Sequence, residues 1–216
     1  MVLSIQRIAL VLGVASLVAG WYYWRNWTQM GQFFIGGWDP SRGIVWWQDP
    51  GFRTLRQFFS FGESLFYPIY SAIAGVWDSL YSTLWMDGFL SGQDPHYEGP
   101  PWNYGFLLSS AWLSLLPSTA ILLGIGVALF KPTRTQGALF SVSCIFVYVA
   151  AILYLFLTVP IYTTAKATYT LGLIPCYAVL SAGGFEILTA RPLLRAIVYG
   201  IVACWAVDVY LAYFIC

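Results

Sequence analysis

Long uninterrupted apolar runs constrain this chain more than any other feature. Four are long enough for a helical crossing of a bilayer: Tyr104–Phe130, Ala138–Val159, Ala167–Phe185 and, after Arg195, Ala196–Cys204 continuing past Asp208 to Phe214. A crossing takes roughly 17–25 residues. A fifth run, Ile8 to Trp24, precedes them. Backbone in lipid has to satisfy its own N–H and C=O groups, so runs of this length fold as helices. The expected fold class is an all-α integral membrane protein of about five transmembrane helices, with one long external loop containing interfacial helices. Composition agrees, because 59% of residues are hydrophobic and 9% charged, against roughly 25% charged in an ordinary soluble domain.

The first run could alternatively be a signal peptide, since Arg7 precedes it and Val18-Ala19-Gly20 resembles a cleavage site. It continues, however, through Trp21-Tyr22-Tyr23-Trp24, which suits an aromatic belt at the membrane interface better than a cleavage junction. The run therefore reads as a span. A net charge of +1 offers no basic stripe to a phosphate backbone, which argues against a nucleic-acid partner. Cys144, Cys176, Cys204 and Cys216 lie in or at the end of the apolar runs without metal-ligand spacing, so they read as small membrane-buried hydrophobes.

Five spans place Arg7, Lys131, Arg134, Arg191 and Arg195 on one side, and the short turn 160–166 on the other side carries only Lys166. Basic residues in short loops mark the cytoplasmic side, so the N-terminus is expected inside and residues 25–103 outside. The chain then divides into a first transmembrane helix (1–24), an external loop with membrane-lying helices (25–103) and a four-helix transmembrane bundle (104–216). Seven of the nine acids fall in that loop: Asp39, Asp49, Glu63, Asp78, Asp87, Asp94 and Glu98.

The loop's first part, GGWDPSRGIVWWQDPG, is rich in Gly, Pro and Asp and reads as turns. From Leu55 onward, Leu55, Phe58, Phe59, Phe66 and Ile69 follow helical spacing, which predicts an interfacial helix. Pro68 then suits the first turn of a second helix with Ile69, Ile73, Val76, Leu80 and Leu84 as its apolar stripe and Asp78, Ser82 and Asp87 on its wet side. A sixth span through Asp78 is the competing reading.

Two cations stand at the expected outer interface: Arg25 directly after the first span and Lys166 opening the fourth. Either could hold a lipid-linked phosphate, as well as simply anchoring its helix. Asp208 interrupts the last span, and an ionisable group at that depth is a functional candidate; Lys166 is its nearest charged neighbour in the expected topology, which makes Asp208 an orienting partner for that cation. Asp94, His96 and Glu98 alternate and would face one way in an extended loop, a set compatible with a divalent metal, although a solvated polar turn explains them better. No metal ligands and no cofactor are assigned.

GWYYWRNW closing a span, WWQDPG, FGESLFYPIYSAIAGVWDSLYSTLWMDG in the long loop and YTTAKATYTLGLIPCYAVLSAGGFE further on together resemble the later half of bacterial multi-spanning glycosyltransferases of the C type. Their relatives include protein O-mannosyltransferases and the lipid A aminoarabinose transferase. The resemblance runs from Gly20 to about Glu186 and implies a polyprenyl-phosphate-linked sugar donor at the outer face of a bacterial inner membrane. It also implies Asp78, Asp87 and Glu63 as candidate catalytic acids, and Arg25 and Lys166 as the lipid-phosphate-binding cations. Such enzymes carry their principal catalytic acid in an early external loop, and nothing in this sequence corresponds to it. A C-terminal fragment or split subunit working with an N-terminal transferase half is therefore expected. The alternative from another class is a non-enzymatic multi-pass subunit whose external loop binds a partner.

The topology is checked by single cysteines at Ser41, Gln93 and Thr135 on a background lacking the native four, labelled in intact cells with a membrane-impermeant thiol reagent. Labelling at Ser41 and Gln93 but not at Thr135 is expected; protection of Gln93 alone would favour six spans.

Overall fold

The computed structural model describes residues 2–31, 53–68, 71–86, 103–130, 136–158 and 165–214. Among them every regular element is helical: α1 (Val2–Met30), α2 (Leu55–Phe59), α3 (Glu63–Phe66), a 3₁₀ turn (Ser71–Ile73), α4 (Val76–Trp85), α5 (Tyr104–Leu113), α6 (Leu115–Phe130), α7 (Gln136–Thr158), a second 3₁₀ segment (Ala167–Leu173), α8 (Ile174–Leu188) and α9 (Pro192–Phe214). Four stretches are long and apolar enough to cross a membrane: Gly105–Phe130, Gly137–Thr158, Ala167–Leu188 and Pro192–Phe214. They coincide with four of the apolar runs, and the chain is on that ground a membrane protein.

Two compact units are present, Met1–Trp47 and Gln48–Cys216. The first contains α1, a continuous helix that passes through the aromatic cluster without a break and ends beyond Arg25. Trp21 and Tyr22 meet edge to face there, their ring centroids 6.2 Å apart.

In the second unit α5 and α6 form one span with a defect at Ser114. Pro117 has no N–H to offer the carbonyl four residues back, that of Leu113, and its ring crowds that carbonyl. The helix accordingly breaks after Leu113 and resumes at Leu115. Pro175 acts differently. It occupies the first turn of α8, where no intrahelical donor is required. Ahead of it the chain runs as seven residues of 3₁₀ helix, longer than the usual three or four.

The α6 and α8 backbones meet at two glycines. A methyl group built on Gly124 would overlap the Leu180 carbonyl, and one built on Gly184 would overlap the Ala120 carbonyl. Ala120, Gly124 and Ala128 recur every four residues along one face of α6, and all three are buried. Small residues at this spacing allow helices in lipid to approach closely enough for dispersion and Cα–H···O contacts to hold them, since apolar burial gives no drive where the solvent is itself apolar.

Residues 53–86 differ from the expected interfacial arrangement. Gly62, at φ 127°, separates α2 from α3, so the described part of the expected interfacial helix is two short helices joined by a left-handed residue, and Ile69 lies outside the described residues. Ten-residue α4 is about 15 Å long, which is too short for a crossing. Its expected wet side is its buried side: Asp78, Ser79 and Ser82 are buried, whereas Trp77 and Ile73 are exposed. Val76 packs with Ile152 and Phe156 of α7 and with Ala165. The polar face turns inward because the bundle offers it backbone groups to bond.

Gly184→Ala and its neighbour Gly183→Ala separate contact from propensity. Nothing lies within 4 Å of a methyl group on Gly183, so that change is expected to stabilise slightly, by about 0.5–1 kcal/mol. Gly184→Ala drives a methyl group into backbone and should cost about 1–3 kcal/mol. Unfolding in mixed micelles titrated with a denaturing detergent gives both values.

Candidate functional site

Helix α4 organises the site through side chains on successive turns. Ser79 donates its hydroxyl hydrogen to the carbonyl of Ala165. Thr83 accepts the N–H of Ala167 at 2.7 Å and donates to the Ser79 carbonyl at 2.6 Å. The backbone on both sides of Lys166 is thereby fastened to one helix face. Lys166 itself precedes the 3₁₀ segment in extended conformation and is partly exposed.

The same helix is also anchored to α5 and α9. Tyr81 is buried and donates to the carbonyl of Ala111 at 2.5 Å. Burial raises the pKa of this phenol, which keeps the donating proton in place across the physiological range. Trp85 meets Trp205 of α9 edge to face at 5.8 Å, and the Trp205 indole N–H donates to Ser114 Oγ at 2.9 Å, at the break between α5 and α6.

Asp78 lies in the first turn of α4 with its carboxylate directed away from solvent. Oδ1 accepts the N–H of Gly62 at 3.1 Å, the N–H of Ser64 at 2.9 Å and the hydroxyl of Ser64 at 2.7 Å. Those donors belong to the start of α3, whose first N–H groups have no partners within their own helix. Asp78 thus ties α3 to α4. Glu63, the second expected acid, is exposed in the first turn of α3. Asp87, Asp94, His96 and Glu98 lie outside the described residues. Among the described residues no group of three His, Cys, Asp or Glu side chains is placed to hold a metal ion.

Arg25 is exposed on α1 and donates to Gln29 Oε1 at 3.2 Å. It belongs to the first compact unit and Lys166 to the second. Asp208 is buried in α9, and its Oδ2 accepts the hydroxyl of Ser110 on α5 at 2.6 Å. The partner that the structure gives this acid is therefore a serine.

α4, the 3₁₀ segment after Lys166, α8 and α9 enclose a cavity of about 390 Å³, within the range of roughly 300–1,000 Å³ found for small-ligand sites. Leu84 and Trp85 of α4, Leu171 of the 3₁₀ segment, Ile174, Tyr177 and Phe185 of α8, and Trp205 of α9 contribute to its wall, which is almost wholly apolar. Thr83, which holds Ala167, immediately precedes two of these residues. Along the 3₁₀ segment, Lys166 to Leu171 spans about 10 Å at about 2 Å per residue. The cavity and Lys166 thus share two elements, α4 and the 3₁₀ segment.

Arg53 was not legible as a site residue. Its Nε donates to the carbonyl of Phe156 at 2.8 Å, near the C-terminus of α7, and its guanidinium lies 3.8 Å from the centre of the Phe156 ring. Both contacts suit a cation, since helix C-termini and aromatic faces are electronegative. Burial lowers its pKa to about 10, which leaves it charged at neutral pH. A contact 103 residues away leaves no local pattern. Ser79 and Thr83 did leave one, a polar i, i+4 pair, and it reads equally well as a wet face.

Comparison with protein-family models, curated proteins and solved structures finds no match for this chain.

Asp78→Ala leaves three donors at the start of α3 without their acceptor and is expected to cost about 2–4 kcal/mol. Glu63→Ala, on an exposed side chain, should stay within about 0.5 kcal/mol. Thermal unfolding of the purified protein in detergent separates them; equal and small effects would remove Asp78 from its tying role.

Proposed function

We propose that this chain holds a polyprenyl-phosphate-linked sugar at the outer membrane face, as the donor-binding part of a membrane glycosyltransferase. In this reading α1 is a fifth span, residues 25–103 lie outside and the N-terminus is cytoplasmic. The phosphate sits at Lys166 and the first isoprene units enter the cavity walled by α4 and α8; Arg25, in the other compact unit, is the second candidate cation. One observation carries the reading: α4 fastens the backbone on both sides of Lys166 while its next two residues wall the cavity. An ammonium has three donors, so Lys166 can bond a phosphate oxygen while keeping a protein contact.

The resemblance to C-type transferases supplies the chemical class of the lipid. Donor holding is favoured over catalysis by this chain alone because Asp78 is committed to α3 and Glu63 stands in solvent. The acid that activates an acceptor hydroxyl then comes from an N-terminal transferase half. Losing a principal base commonly costs about two to four orders of magnitude in rate.

The test uses the purified chain in lipid nanodiscs with a fluorescent polyprenyl phosphate. Lys166→Ala and the cavity-filling change Ala178→Trp should each weaken retention about tenfold, which corresponds to roughly 1.4 kcal/mol. Arg25→Ala combined with Lys166→Ala should weaken it further. Equal retention by wild type and the double variant would overturn the binding site, and sugar transfer by the chain alone would overturn the assignment of catalysis to a partner.

A further inference from the structure

Asp208 is the one charged side chain buried in the four membrane-spanning stretches among the described residues. One of its oxygens is occupied by Ser110. No other hydrogen bond or ion pair reaches it among the described residues, so Oδ1 has no protein partner there. The side chain nevertheless helps line an open groove of about 380 Å³ between α5 and α9, otherwise walled by Leu113, Ala203, Cys204, Val207 and Leu211. Phe214, the last residue of α9, is six positions beyond Asp208, which sets Asp208 about 9 Å from that helix end at about 1.5 Å per residue.

We infer that this groove is the docking site for a membrane-spanning helix of a partner protein that brings one lysine or arginine to the depth of Asp208. A carboxylate at that depth is costly unless a cation or several donors face it. A lipid tail in the groove would leave Oδ1 with nothing. A second copy of this chain would bring a like charge. The apolar run of α1 has its cations, Arg7 and Arg25, at its two ends and none within. A cation on a helix from another protein answers the charge, and Ala203 permits close approach of that helix. The inference is independent of the lipid site at Lys166.

The probe is a synthetic leucine-rich transmembrane peptide with one lysine about 9 Å below its outer end. It is compared with all-leucine and glutamate versions, each reconstituted with the full chain in phosphatidylcholine vesicles. Energy transfer between labels reports association. A cysteine one turn from the lysine reports position by oxidative cross-linking to the native Cys204, which is exposed in the same groove, with the other three cysteines replaced by alanine. The lysine peptide is expected to associate about tenfold more tightly than the leucine peptide and to cross-link at Cys204. Asp208→Asn should reduce it to the leucine level. Should that variant fail to fold, Ser110→Ala, which keeps the carboxylate, must retain the preference, and Cys204→Trp, which fills the groove, must abolish it. Equal association of the lysine and leucine peptides, absence of the Cys204 cross-link, or self-association of the chain through Asp208 would each overturn the inference.

Discussion

Everything around Lys166 depends on hydrogen bonds from the side chains of one short helix to the backbone of the bundle. Ser79 bonds the Ala165 carbonyl, Thr83 takes the Ala167 N–H and Tyr81 bonds the Ala111 carbonyl. These backbone groups lie where the helical ladder is interrupted: ahead of the 3₁₀ segment, and beside the break caused by Pro117. Unpaired backbone in an apolar setting is expensive. A helix with hydroxyls on one face is therefore drawn inward, and its polar residues become the buried ones.

The same requirement explains how much of the architecture could be read from sequence. The four spanning stretches follow from run length, because a bilayer accepts only long apolar helices. The inversion of α4 does not follow. Asp78, Ser79, Ser82 and Thr83 form a polar stripe whether it faces water or faces carbonyls, and helical period cannot distinguish the two. Only the position of the backbone defects decides, and those arise from Pro117 and from the 3₁₀ segment Ala167–Leu173, far along the chain. Gly124 and Gly184 left a fainter trace. Ala120-x-x-x-Gly124-x-x-x-Ala128 has the spacing of a close helix contact, but its partner, Gly184 of α8, has to be known before the spacing means anything.

Candidate site residues divided along similar lines. Lys166 was legible because a lone cation opening an apolar run stands out against its neighbours and belongs at a membrane boundary. The cavity was not, since it is assembled from α4, α5, α6, α8, α9 and the 3₁₀ segment, and its apolar lining is indistinguishable in sequence from ordinary core. Asp208 was legible as an intramembrane acid, while its bond to Ser110, 98 residues away, was not. Asp78 shows the converse. Its residue type suits catalysis, and three donors from the start of α3 give it a different occupation.

Charge placement links these features. A bundle this poor in charge can keep a carboxylate only where donors are supplied, and Asp78 receives three from one turn of backbone and side chain. Asp208 receives one, from Ser110, and is the less satisfied of the two. Cations face the opposite constraint, because their long stems let the charged group reach the interface while the chain remains anchored in apolar surroundings. Arg53 follows this rule by placing its guanidinium against the carbonyl end of α7 and the ring of Phe156. At Lys166 the backbone is fixed as well: the segment is held by α4 on both flanks. A backbone fixed in this way holds the start of the 3₁₀ segment against α4. The interrupted backbone ahead of that segment is thereby satisfied from hydroxyls of α4, and it asks nothing of the acids inside.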